Sequence, residues 1–483
     1  MTGHDYDLVV IGGGAAGFVS SKLARGLGKK VALIEKSRLG GECTLSGCIP
    51  SKALIKAASI AWQTRHLKDY GLSAETDFRI NTGNVMRHVR SVIEKVYNSH
   101  RPEIFEGLGI DVLFGSPRFV DNHTIEFNGK RISSRAFIIA TGSSSFIPAI
   151  EGIETVPYLT NETLFDLEEL PPSIICLGGG PIGIEIAAAM NRLGVKVHVL
   201  EMSESILSKE DRELVDILSE RLKTEGLHLL TETKTLKLSR DAEQIVVTIE
   251  DKNGHRGGIK AGSVLIAAGR KANVEGLELE KAGVQYMRKG IITDSALRTT
   301  AHNIYACGDV AGPYQFSHMA EYGARIAAQN ACLPFKKKVD YKDVIWCTFT
   351  DPELAHAGLT EEEARILYGE KIKAYKFEYK NMDRSRTDVI DAGLGKFIID
   401  RKGKIIGAHI LGDRAGEIMH EVQLAKSFGI PFYKLDSVIH IYPTFSDVVK
   451  QSSKLAYIDR LRNSRILKFV KLLLGKEKNY GAA

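Results

Sequence analysis

The chain has 483 residues, of which 44% are hydrophobic and 26% charged. These proportions exclude a fibrous or disordered protein, and the length predicts about three domains at a typical ~100–200 residues each. The net charge of +6 equals that of segment 460–478, which holds seven bases and one acid, so the remaining chain is neutral and nucleic-acid binding is not supported. No apolar stretch reaches ~18 residues and residues 1–7 lack the layout of a signal peptide, so we expect a cytoplasmic protein.

Two segments follow the same order of strand, glycine turn, helix and strand. In the first, a strand at 7–11 leads through Gly-Gly-Gly-Ala-Ala-Gly at 12–17 into a helix to about residue 27 and a strand at 30–35. In the second, a strand at 174–177 leads through Gly-Gly-Gly-Pro-Ile-Gly at 178–183 into a helix to about residue 193 and a strand at 195–201. Such glycines let the backbone approach a pyrophosphate at a helix N-terminus. Two bound dinucleotides are therefore predicted.

An acid follows each glycine turn at the distance expected for a residue that bonds an adenosine ribose. Glu35 lies 23 residues after Gly12, and Glu201 lies 23 residues after Gly178. A 2′-phosphate would need a cation near Glu201, but residues 201–204 read Glu-Met-Ser-Glu. For the second dinucleotide we therefore expect NADH in preference to NADPH.

The rest of the chain predicts an α/β protein with a different third part. Residues 53–110 are mostly helical in pattern, 111–146 form short strands, and strands are expected at 263–268 and 299–310, followed by a helix at 318–332. From about 339 to 457, strands near 348, 373–378, 396–400 and 404–412 mix with helices and carry no glycine fingerprint. The fold class is therefore two Rossmann-like dinucleotide-binding domains plus a C-terminal α+β domain.

The most specific segment is 40–52, which reads Gly-Gly-Glu-Cys-Thr-Leu-Ser-Gly-Cys-Ile-Pro-Ser-Lys. Two cysteines five apart can close a small ring, and Pro50 suits the first turn of a helix that would begin near Cys48. That position, with Lys52 nearby, lowers a thiol pKa and favours the reactive thiolate. A zinc site or an inert buried pair are the alternatives, although no second ligand pair is found. We expect the other cysteines to be buried apolar residues: Cys176, Cys307, Cys332 and Cys347.

Segment 40–52 resembles the active-site signature of the class I pyridine nucleotide-disulfide oxidoreductases, which include lipoamide dehydrogenase, glutathione reductase and mercuric reductase. Further stretches resemble motifs of that family, at 140–142, 267–270, 306–309 and 349–353. The resemblance extends to about residue 455. Segments 315–322 and 346–356 look most similar to mercuric reductase-like members.

This resemblance implies an FAD-dependent enzyme that passes electrons from NADH through the flavin to Cys48 and then to Cys43, the thiol that meets the substrate. It implies an ion pair of Lys52 with Glu185 beside the two cofactor rings, although Glu185 could also be an ordinary helix acid. The residues implied for FAD are Gly12, Gly14, Gly17, Glu35, Lys52, Thr141, Gly142 and Asp309. Those implied for the nicotinamide nucleotide are Gly178, Gly180, Gly183, Glu201 and Gly269.

The resemblance also implies a homodimer whose active site is shared across subunits. We expect an FAD-binding domain at 1–148 and 271–336, an NAD-binding domain at 149–270 and an interface domain at 337–457. Residues 458–483 form a basic amphipathic tail. The tail could touch an anionic membrane surface, placing the protein peripherally at the inner membrane face, or pack on the enzyme's own dimer.

One segment departs from the family. Disulfide-reducing members resemble one another in His-x-His-Pro-Thr-x-Ser-Glu, whereas residues 440–447 read His-Ile-Tyr-Pro-Thr-Phe-Ser-Asp. Tyr442 thus replaces the catalytic base and Asp447 replaces its orienting acid. A tyrosine with a pKa of ~10 does not act as a base at neutral pH, which places ordinary disulfide turnover in doubt. His440 could substitute, although it is displaced by two residues.

These residues do not identify the electron acceptor. Mercuric reductases carry a vicinal cysteine pair near the C-terminus, but the last cysteine of this chain is Cys347. We expect an NADH oxidoreductase with a thiol-reactive, metal-ion or small electron acceptor. The alternatives are a dihydrolipoamide dehydrogenase and a membrane-associated redox module that donates electrons to a protein partner.

Overall fold

The computed structural model describes residues 3–73, 78–464 and 467. The chain divides into two compact units, one of Met1–Ile206 with Glu225–Tyr341 and one of Leu207–Thr224 with Lys342–Ala483. The segment 207–224, which the sequence analysis assigns to the NAD-binding domain, thus groups with the C-terminal residues. The assignment of 1–148 and 271–336 to an FAD-binding domain, 149–270 to an NAD-binding domain and 337–457 to an interface domain stays a prediction.

The described residues form the following strands and helices. The strands are β1 (Tyr6–Ile11), β2 (Val31–Glu35), β3 (Ile110–Phe114), β4 (Arg118–Asp121), β5 (Thr124–Phe127), β6 (Lys130–Ile139), β7 (Ser143–Ser145), β8 (Ser173–Leu177), β9 (Lys196–Leu200), β10 (His228–Leu230), β11 (Lys234–Asp241), β12 (Gln244–Glu250), β13 (Arg256–Ala261), β14 (Ser263–Ile266), β15 (Arg270–Ala272), β16 (Tyr286–Met287), β17 (Gly290–Ile291), β18 (Ile304–Ala306), β19 (Ile345–Thr348), β20 (Glu353–Gly358), β21 (Lys373–Glu378), β22 (Leu394–Ile399) and β23 (Ile405–Gly412). The helices are α1 (Ala15–Gly26), α2 (Gly41–Leu45), α3 (Cys48–Arg65), α4 (Thr82–Tyr97), α5 (Pro102–Glu106), α6 (Asn161–Leu164), α7 (Pro181–Arg192), α8 (Arg212–Thr224), α9 (Ser317–Cys332), α10 (Glu361–Tyr368), α11 (Asp383–Thr387), α12 (Ala415–Ser427) and α13 (Asp447–Arg462).

The first unit contains a sheet in which β3, β2, β1, β6 and β18 run parallel. Alternate residues of β1 enter the cores on its two faces. Leu8 and Val10 join the apolar cluster that includes α1 and α9, whereas Val9 and Ile11 join the cluster on the other face. A strand buried on both faces is apolar throughout, which explains the uninterrupted apolar run at 8–11.

A second parallel sheet, in the order β10-β9-β8-β14, carries the second glycine turn at the end of β8. Beside it β11, β12 and β13 form an antiparallel meander. The sequence prediction does not contain this meander. The signal was present, because Asn253-Gly254 separates two stretches of alternating apolar and polar residues.

The second unit contains one antiparallel sheet in the order β19-β20-β23-β22-β21. One face of this sheet packs its apolar side chains against residues of α12 and α13. Together with the two parallel sheets, this arrangement confirms the predicted α/β class with a C-terminal α+β part. Within the described residues, no helix is long and apolar enough to cross a membrane.

The basic tail predicted at 458–483 begins within the last part of α13. That helix finishes at Arg462. Of the residues beyond 464, only 467 is described, so most of the tail prediction lies outside the described residues.

Candidate active site

The first glycine turn connects β1 to α1 with almost no space for side chains. Gly12 has a φ of +109°, and a Cβ atom built there would lie 2.3 Å from the carbonyl oxygen of Ala140. A Cβ atom on Gly17 would lie 1.8 Å from the carbonyl oxygen of Gly12. Helix α1 starts after Gly14, which has no side chain to cap the first N–H groups. The turn therefore offers its backbone N–H groups to a phosphate.

Glu35 closes this turn from the end of β2. Its carboxylate accepts hydrogen bonds from the backbone N–H of Gly13 at 2.8 Å and of Ser37 at 3.0 Å. The side chain is buried. A carboxylate fixed beside a glycine turn in this way can accept further bonds from ribose hydroxyls, so these residues fit the adenosine end of a dinucleotide.

The second glycine turn repeats this construction between β8 and α7. A Cβ atom on Gly178 would lie 2.4 Å from the carbonyl oxygen of Ala267, and one on Gly183 would lie 2.2 Å from that of Gly178. Around Gly180, by contrast, the described part of the chain places no atom within 4 Å of such a Cβ atom. Glu201 accepts bonds from the N–H groups of Gly179 and Ser203, both at 2.7 Å. The two turns thus fit the same class of ligand.

The cysteine segment lies directly against the first glycine turn. The N–H of Gly40 donates to the carbonyl of Gly13 at 2.8 Å, and a Cβ atom on Gly41 would lie 2.6 Å from the Cα atom of Gly14. Helix α3 begins at Cys48, so this thiol occupies the first position of a helix whose N–H groups favour negative charge. Only glycines permit this proximity between the cysteine segment and the first glycine turn.

The two thiols of this segment differ in their electrostatics. A hydrogen bond from the Cys43 thiol lowers the pKa of Cys48 to about 6, and Ser317 and Lys52 contribute in the same direction against the effect of burial. The same hydrogen bond, together with burial, raises the pKa of Cys43. Ser317 Oγ lies 3.3 Å from Cys48 Sγ. At neutral pH, therefore, Cys48 carries the thiolate and Cys43 carries the proton.

Lys52 and Glu185 form an ion pair that connects α3 to α7. Lys52 Nζ lies 2.8 Å from Glu185 Oε2, and the Glu185 side chain is only 8% exposed. A buried carboxylate of this kind is stable because a cation is fixed beside it. The placement of this pair beside the cofactor rings stays a prediction.

A partly buried ion pair was not predicted from the sequence. Arg270, at the start of β15, bonds the Glu42 carboxylate through both guanidinium NH groups and also donates to Ser143 Oγ at 2.8 Å. Ser143 Oγ in turn donates to Asp309 Oδ2 at 2.6 Å. Burial raises the pKa of Glu42 despite the adjacent arginine. This network connects the motifs at 40–52, 267–270 and 306–309 through Ser143, which directly follows the motif at 140–142, and of its residues only Asp309 was predicted as a site residue.

The remaining cofactor positions of the first unit lie close to this network. Thr141 Oγ1 donates to the carbonyl of Asn273 at 2.7 Å. Gly142 and Gly269 both have positive φ angles, of +70° and +125°.

The four other cysteines differ in burial. The fully buried thiols Cys176 and Cys307 have pKa values raised to about 12 by burial, whereas Cys332 and Cys347 are partly buried.

Tyr442 and Asp447 belong to the second unit. Tyr442 is 64% exposed, and its hydroxyl donates to Asp383 Oδ2 at 2.8 Å rather than to Asp447. Asp447 is buried at the start of α13, and burial raises its pKa. His440 has a side chain only 6% exposed, with Nε2 2.8 Å from Glu421 Oε1 and Nδ1 2.9 Å from the carbonyl of Val438. With both nitrogens engaged, His440 is poorly suited to replace the missing base.

Comparison with known proteins identifies the family. The model described as "Pyridine nucleotide-disulphide oxidoreductase" matches residues 6–330, and that described as "Pyridine nucleotide-disulphide oxidoreductase, dimerisation domain" matches residues 344–453. The chain belongs to the pyridine nucleotide-disulphide oxidoreductases. It is an FAD-dependent enzyme that uses a pyridine nucleotide, and the dimerisation domain supports a homodimer.

Relatives within this family carry names that point to different substrates. The chain is 33% identical to a mercuric reductase from Staphylococcus aureus over 448 residues, covering 92% of this chain and 81% of that protein. It is 32% identical to a dihydrolipoyl dehydrogenase from Bacillus subtilis over 470 residues, covering 94% and 98%. The solved Cu(II) complex of the HOCl-induced flavoprotein disulfide reductase RclA from Escherichia coli is similar with a TM-score of 0.82 at 29% identity, covering 93% and 99%.

Proposed function

We propose that this enzyme oxidises NADH and delivers the electron pair, through Cys48 and then Cys43, to a thiol-binding metal ion such as Hg²⁺ or Cu²⁺. The observation that carries the proposal is the division of charge between the two thiols, together with a Tyr442 hydroxyl that bonds Asp383 and is not a base. The names of the mercuric reductase and of the Cu(II)-bound reductase support this class of acceptor.

The residues of the two glycine turns would hold the two dinucleotides. Gly12, Gly14, Gly17 and Glu35 would bind the adenosine diphosphate part of FAD, with Asp309 farther along the cofactor, and Gly178, Gly180, Gly183 and Glu201 would bind the nicotinamide nucleotide. FAD supplies the electron transfer between nicotinamide and disulfide when it is bound. Residues 1–148 and 271–336 would thus form the FAD domain, 149–270 the NAD domain and 337–457 the dimer interface.

The proton balance favours a metal acceptor over a disulfide. Oxidation of NADH yields NAD⁺, one proton and two electrons, which convert a Cys43–Cys48 disulfide into one thiol and one thiolate. When the disulfide forms again, the thiol releases its proton to solvent, the two electrons reduce one Hg²⁺ to Hg⁰ or two Cu²⁺ to two Cu⁺, and the acceptor takes up no proton. A disulfide acceptor would need two protons to leave as two thiols, and such turnover relies on an acid/base group. Tyr442 lacks the pKa for that role, and the bond to Asp383 raises its pKa further.

The nucleotide preference is part of the same proposal. Both oxygens of Glu201 already accept backbone hydrogen bonds, and the following residues offer no cation to a 2′-phosphate. We therefore propose NADH as the donor. The substitution Met202→Arg places a cation beside Glu201 and is expected to raise kcat/KM for NADPH relative to NADH at least ~10-fold, measured by initial rates with each nucleotide.

A steady-state screen tests the acceptor. The purified enzyme is mixed with NADH and with either Hg²⁺, Cu²⁺, lipoamide or glutathione disulfide, the metal ions being supplied as thiol complexes. We expect the metal ions to give the highest kcat/KM, and we expect Cys43→Ser to abolish that activity. Cys347→Ser is the matched control, because this cysteine belongs to the other compact unit and should leave the rate unchanged. A higher kcat/KM with lipoamide would reject the proposal.

A dihydrolipoamide dehydrogenase is the second candidate function. The relatives with that name match this chain over nearly their whole length, 98% in the Bacillus subtilis protein. If the missing base is what limits disulfide turnover, Tyr442→His should raise activity with lipoamide by at least ~10-fold without raising metal-ion reduction. High wild-type activity with dihydrolipoamide and NAD⁺ would favour this second function.

A further inference from the structure

A polar row crosses one face of the five-stranded sheet in the second unit. Neighbouring strands pair these side chains directly: Trp346 faces His356, His356 faces His409, His409 faces Lys396, and Lys396 faces Lys376. Residues of the 207–224 segment lie against this row. In particular, Glu210 is buried against His356, with Oε2 2.8 Å from His356 Nδ1.

The hydrogen bonds of His356 and His409 determine which ring nitrogen of each residue can act as a ligand atom. His356 Nε2 lies 2.8 Å from the carbonyl oxygen of Gly358, and His409 Nε2 lies 2.9 Å from that of Leu359. Carbonyl oxygens only accept, so each Nε2 carries a proton and donates. The neutral form of each ring then leaves its lone pair on Nδ1. Ligand histidines are held in the same way, with the other nitrogen donating to a backbone carbonyl or a carboxylate.

These lone pairs converge with a carboxylate in a closed site. One ligand atom from each of Glu210, His356 and His409 lies within 4.8 Å of the other two, and all three residues are buried. Among the described residues, His409 Nδ1 is a buried polar atom with no hydrogen-bond partner. The other Glu210 oxygen accepts a bond from Trp346 Nε1 at 2.5 Å, which fixes the orientation of the carboxylate. An unsatisfied buried nitrogen facing two further ligand groups indicates a cation site.

The neighbouring charges do not oppose a cation. Lys396 is the closest positive side chain along the row, but its ammonium group is surrounded by Asp211, Glu213 and Glu361 at 2.9, 3.0 and 2.6 Å. Lys376 pairs with Glu213 and Arg365 pairs with Glu361, so the three carboxylates balance three bases and this group carries no net positive charge.

We propose that Glu210, His356 and His409 form a buried structural site for one divalent transition-metal ion of the zinc class. Two imidazole nitrogens and one carboxylate oxygen are ligands that Zn²⁺ accepts at ~2.0–2.2 Å, and donors bound at that distance lie at most ~4.4 Å apart. The three donor atoms lie within 4.8 Å of one another, so they must approach slightly when the ion binds. Binding releases the proton shared by Glu210 and His356, and the metal ion ties the 207–224 segment to the sheet.

Metal binding can be measured without interference from the redox thiols. The full-length FAD-loaded enzyme carries Cys43→Ser and Cys48→Ser, any histidine tag is removed, and ZnCl₂ alone is added in equilibrium dialysis with metal analysis by mass spectrometry. We expect one Zn²⁺ per chain. In the same background, Glu210→Gln and His409→Gln should weaken binding at least ~100-fold. His255→Gln is the matched control, because His255 is exposed in the other unit.

A spectroscopic measurement covers the case in which a substitution prevents folding. X-ray absorption at the zinc edge of the thiol-free parent should show nitrogen and oxygen neighbours with two imidazole rings and no sulfur. Flavin absorbance and the thermal midpoint report whether each variant folds. Less than one tightly bound Zn²⁺ per chain, sulfur in the coordination shell, or undiminished binding by a folded His409→Gln enzyme would overturn the proposal. The first result would mean that a proton alone joins Glu210 to His356.

Discussion

The thiol of Cys43 donates a hydrogen bond to Cys48, and this single bond gives the two sulfur atoms different charges. Position contributes as well, because Cys48 begins α3 and has Lys52 one turn farther along the helix. A thiolate is both the stronger nucleophile and the better electron donor. The asymmetry therefore supports the proposed roles, in which Cys48 exchanges electrons with the flavin and Cys43 reacts with the acceptor.

The charge of Cys48 predicts a pH dependence. Since the pKa of Cys48 is lowered to about 6, the thiolate should be present above that pH and should disappear as the pH falls through it. We expect the two-electron-reduced enzyme to have a long-wavelength thiolate-to-flavin absorbance that titrates with a midpoint near this value. Cys48→Ser should lose the band and Cys43→Ser should keep it. A band that survives in Cys48→Ser would reverse the assignment of the two sulfurs.

Ser317 provides a finer test of the same electrostatics. Its hydroxyl lies 3.3 Å from Cys48 Sγ and stabilises the thiolate. Ser317→Ala removes that donor, so the titration midpoint of Cys48 should move upward, by roughly one pH unit for a bond worth ~1.5 kcal/mol. The rate of alkylation by iodoacetamide against pH measures the midpoint independently of the flavin. Ser51→Ala is a suitable control, because that hydroxyl bonds the Cys48 carbonyl and not its sulfur. An unchanged midpoint would mean that Ser317 only packs against the pair.

At the scale of single elements, two glycines of the second glycine turn are expected to serve different purposes. Gly183 is needed for folding, whereas Gly180 is needed for nucleotide binding. Gly183 and Gly180 lie in the same turn, but a Cβ atom collides with backbone only at Gly183. Gly183→Ala should therefore lower the thermal midpoint, because a 2.2 Å contact forces the backbone apart at a typical penalty of ~1–3 kcal/mol. Calorimetry of the two alanine variants measures this difference in stability.

Gly180→Ala should behave in the opposite way. Its Cβ atom meets no described atom within 4 Å, so the fold should tolerate it and the thermal midpoint should stay unchanged. A dinucleotide that approaches the backbone here would meet the new methyl group, so KM for NADH should rise at least ~10-fold. An unchanged KM would contradict the placement of the nucleotide at this turn.

The success of the sequence analysis at this scale depended on local signals. Each βαβ unit could be predicted because strand, turn and helix follow one another within about 30 residues, and because glycines occur where only glycine fits. The cysteine segment was predictable for the same reason. The meander β11–β13 was overlooked although Asn253-Gly254 marks one of its turns, because polar residues and glycines interrupt the alternating pattern in β11 and β13.

Long-range contacts could not be read from the sequence. Ser317 is 269 residues from Cys48, and Arg270 is 228 residues from Glu42, so no spacing pattern relates the partners. The same limit applies to Tyr442, whose partner Asp383 was unforeseen. The association of segment 207–224 with the C-terminal unit also depends on tertiary packing, because its own helix is ordinary in composition.

At the scale of the whole molecule, several apolar side chains of the second unit are strongly exposed. Ile439, Ile441 and Phe428 are 98%, 81% and 76% exposed, and they lie within the residues that match the dimerisation domain. Full burial of each such side chain stabilises an association by roughly 1.5–3 kcal/mol. The free protomer therefore leaves an apolar surface uncovered that a second copy would bury.

If this surface forms the dimer interface, a monomeric variant should still reduce its flavin with NADH but should lose turnover with the acceptor. Ile439→Glu combined with Ile441→Glu should convert the dimer to a monomer, because burying two carboxylates in an apolar interface is strongly unfavourable. If the partner's Tyr442 contributes to the acceptor site, turnover with the acceptor should fall at least ~100-fold in the monomer. Reduction of the bound flavin by NADH should continue within ~3-fold, because the residues of the glycine turns and cysteine pair all come from one unit of one chain.

Light scattering gives the oligomeric state, and stopped-flow absorbance gives the rate of flavin reduction. Ile366→Glu is the matched control. That residue of α10 is also 76% exposed in the same unit, but it is distant in sequence from Phe428, Ile439 and Ile441. A monomer that keeps full acceptor turnover would place the whole active site within one protomer. A dimer that persists with both glutamates would instead require another surface for the association.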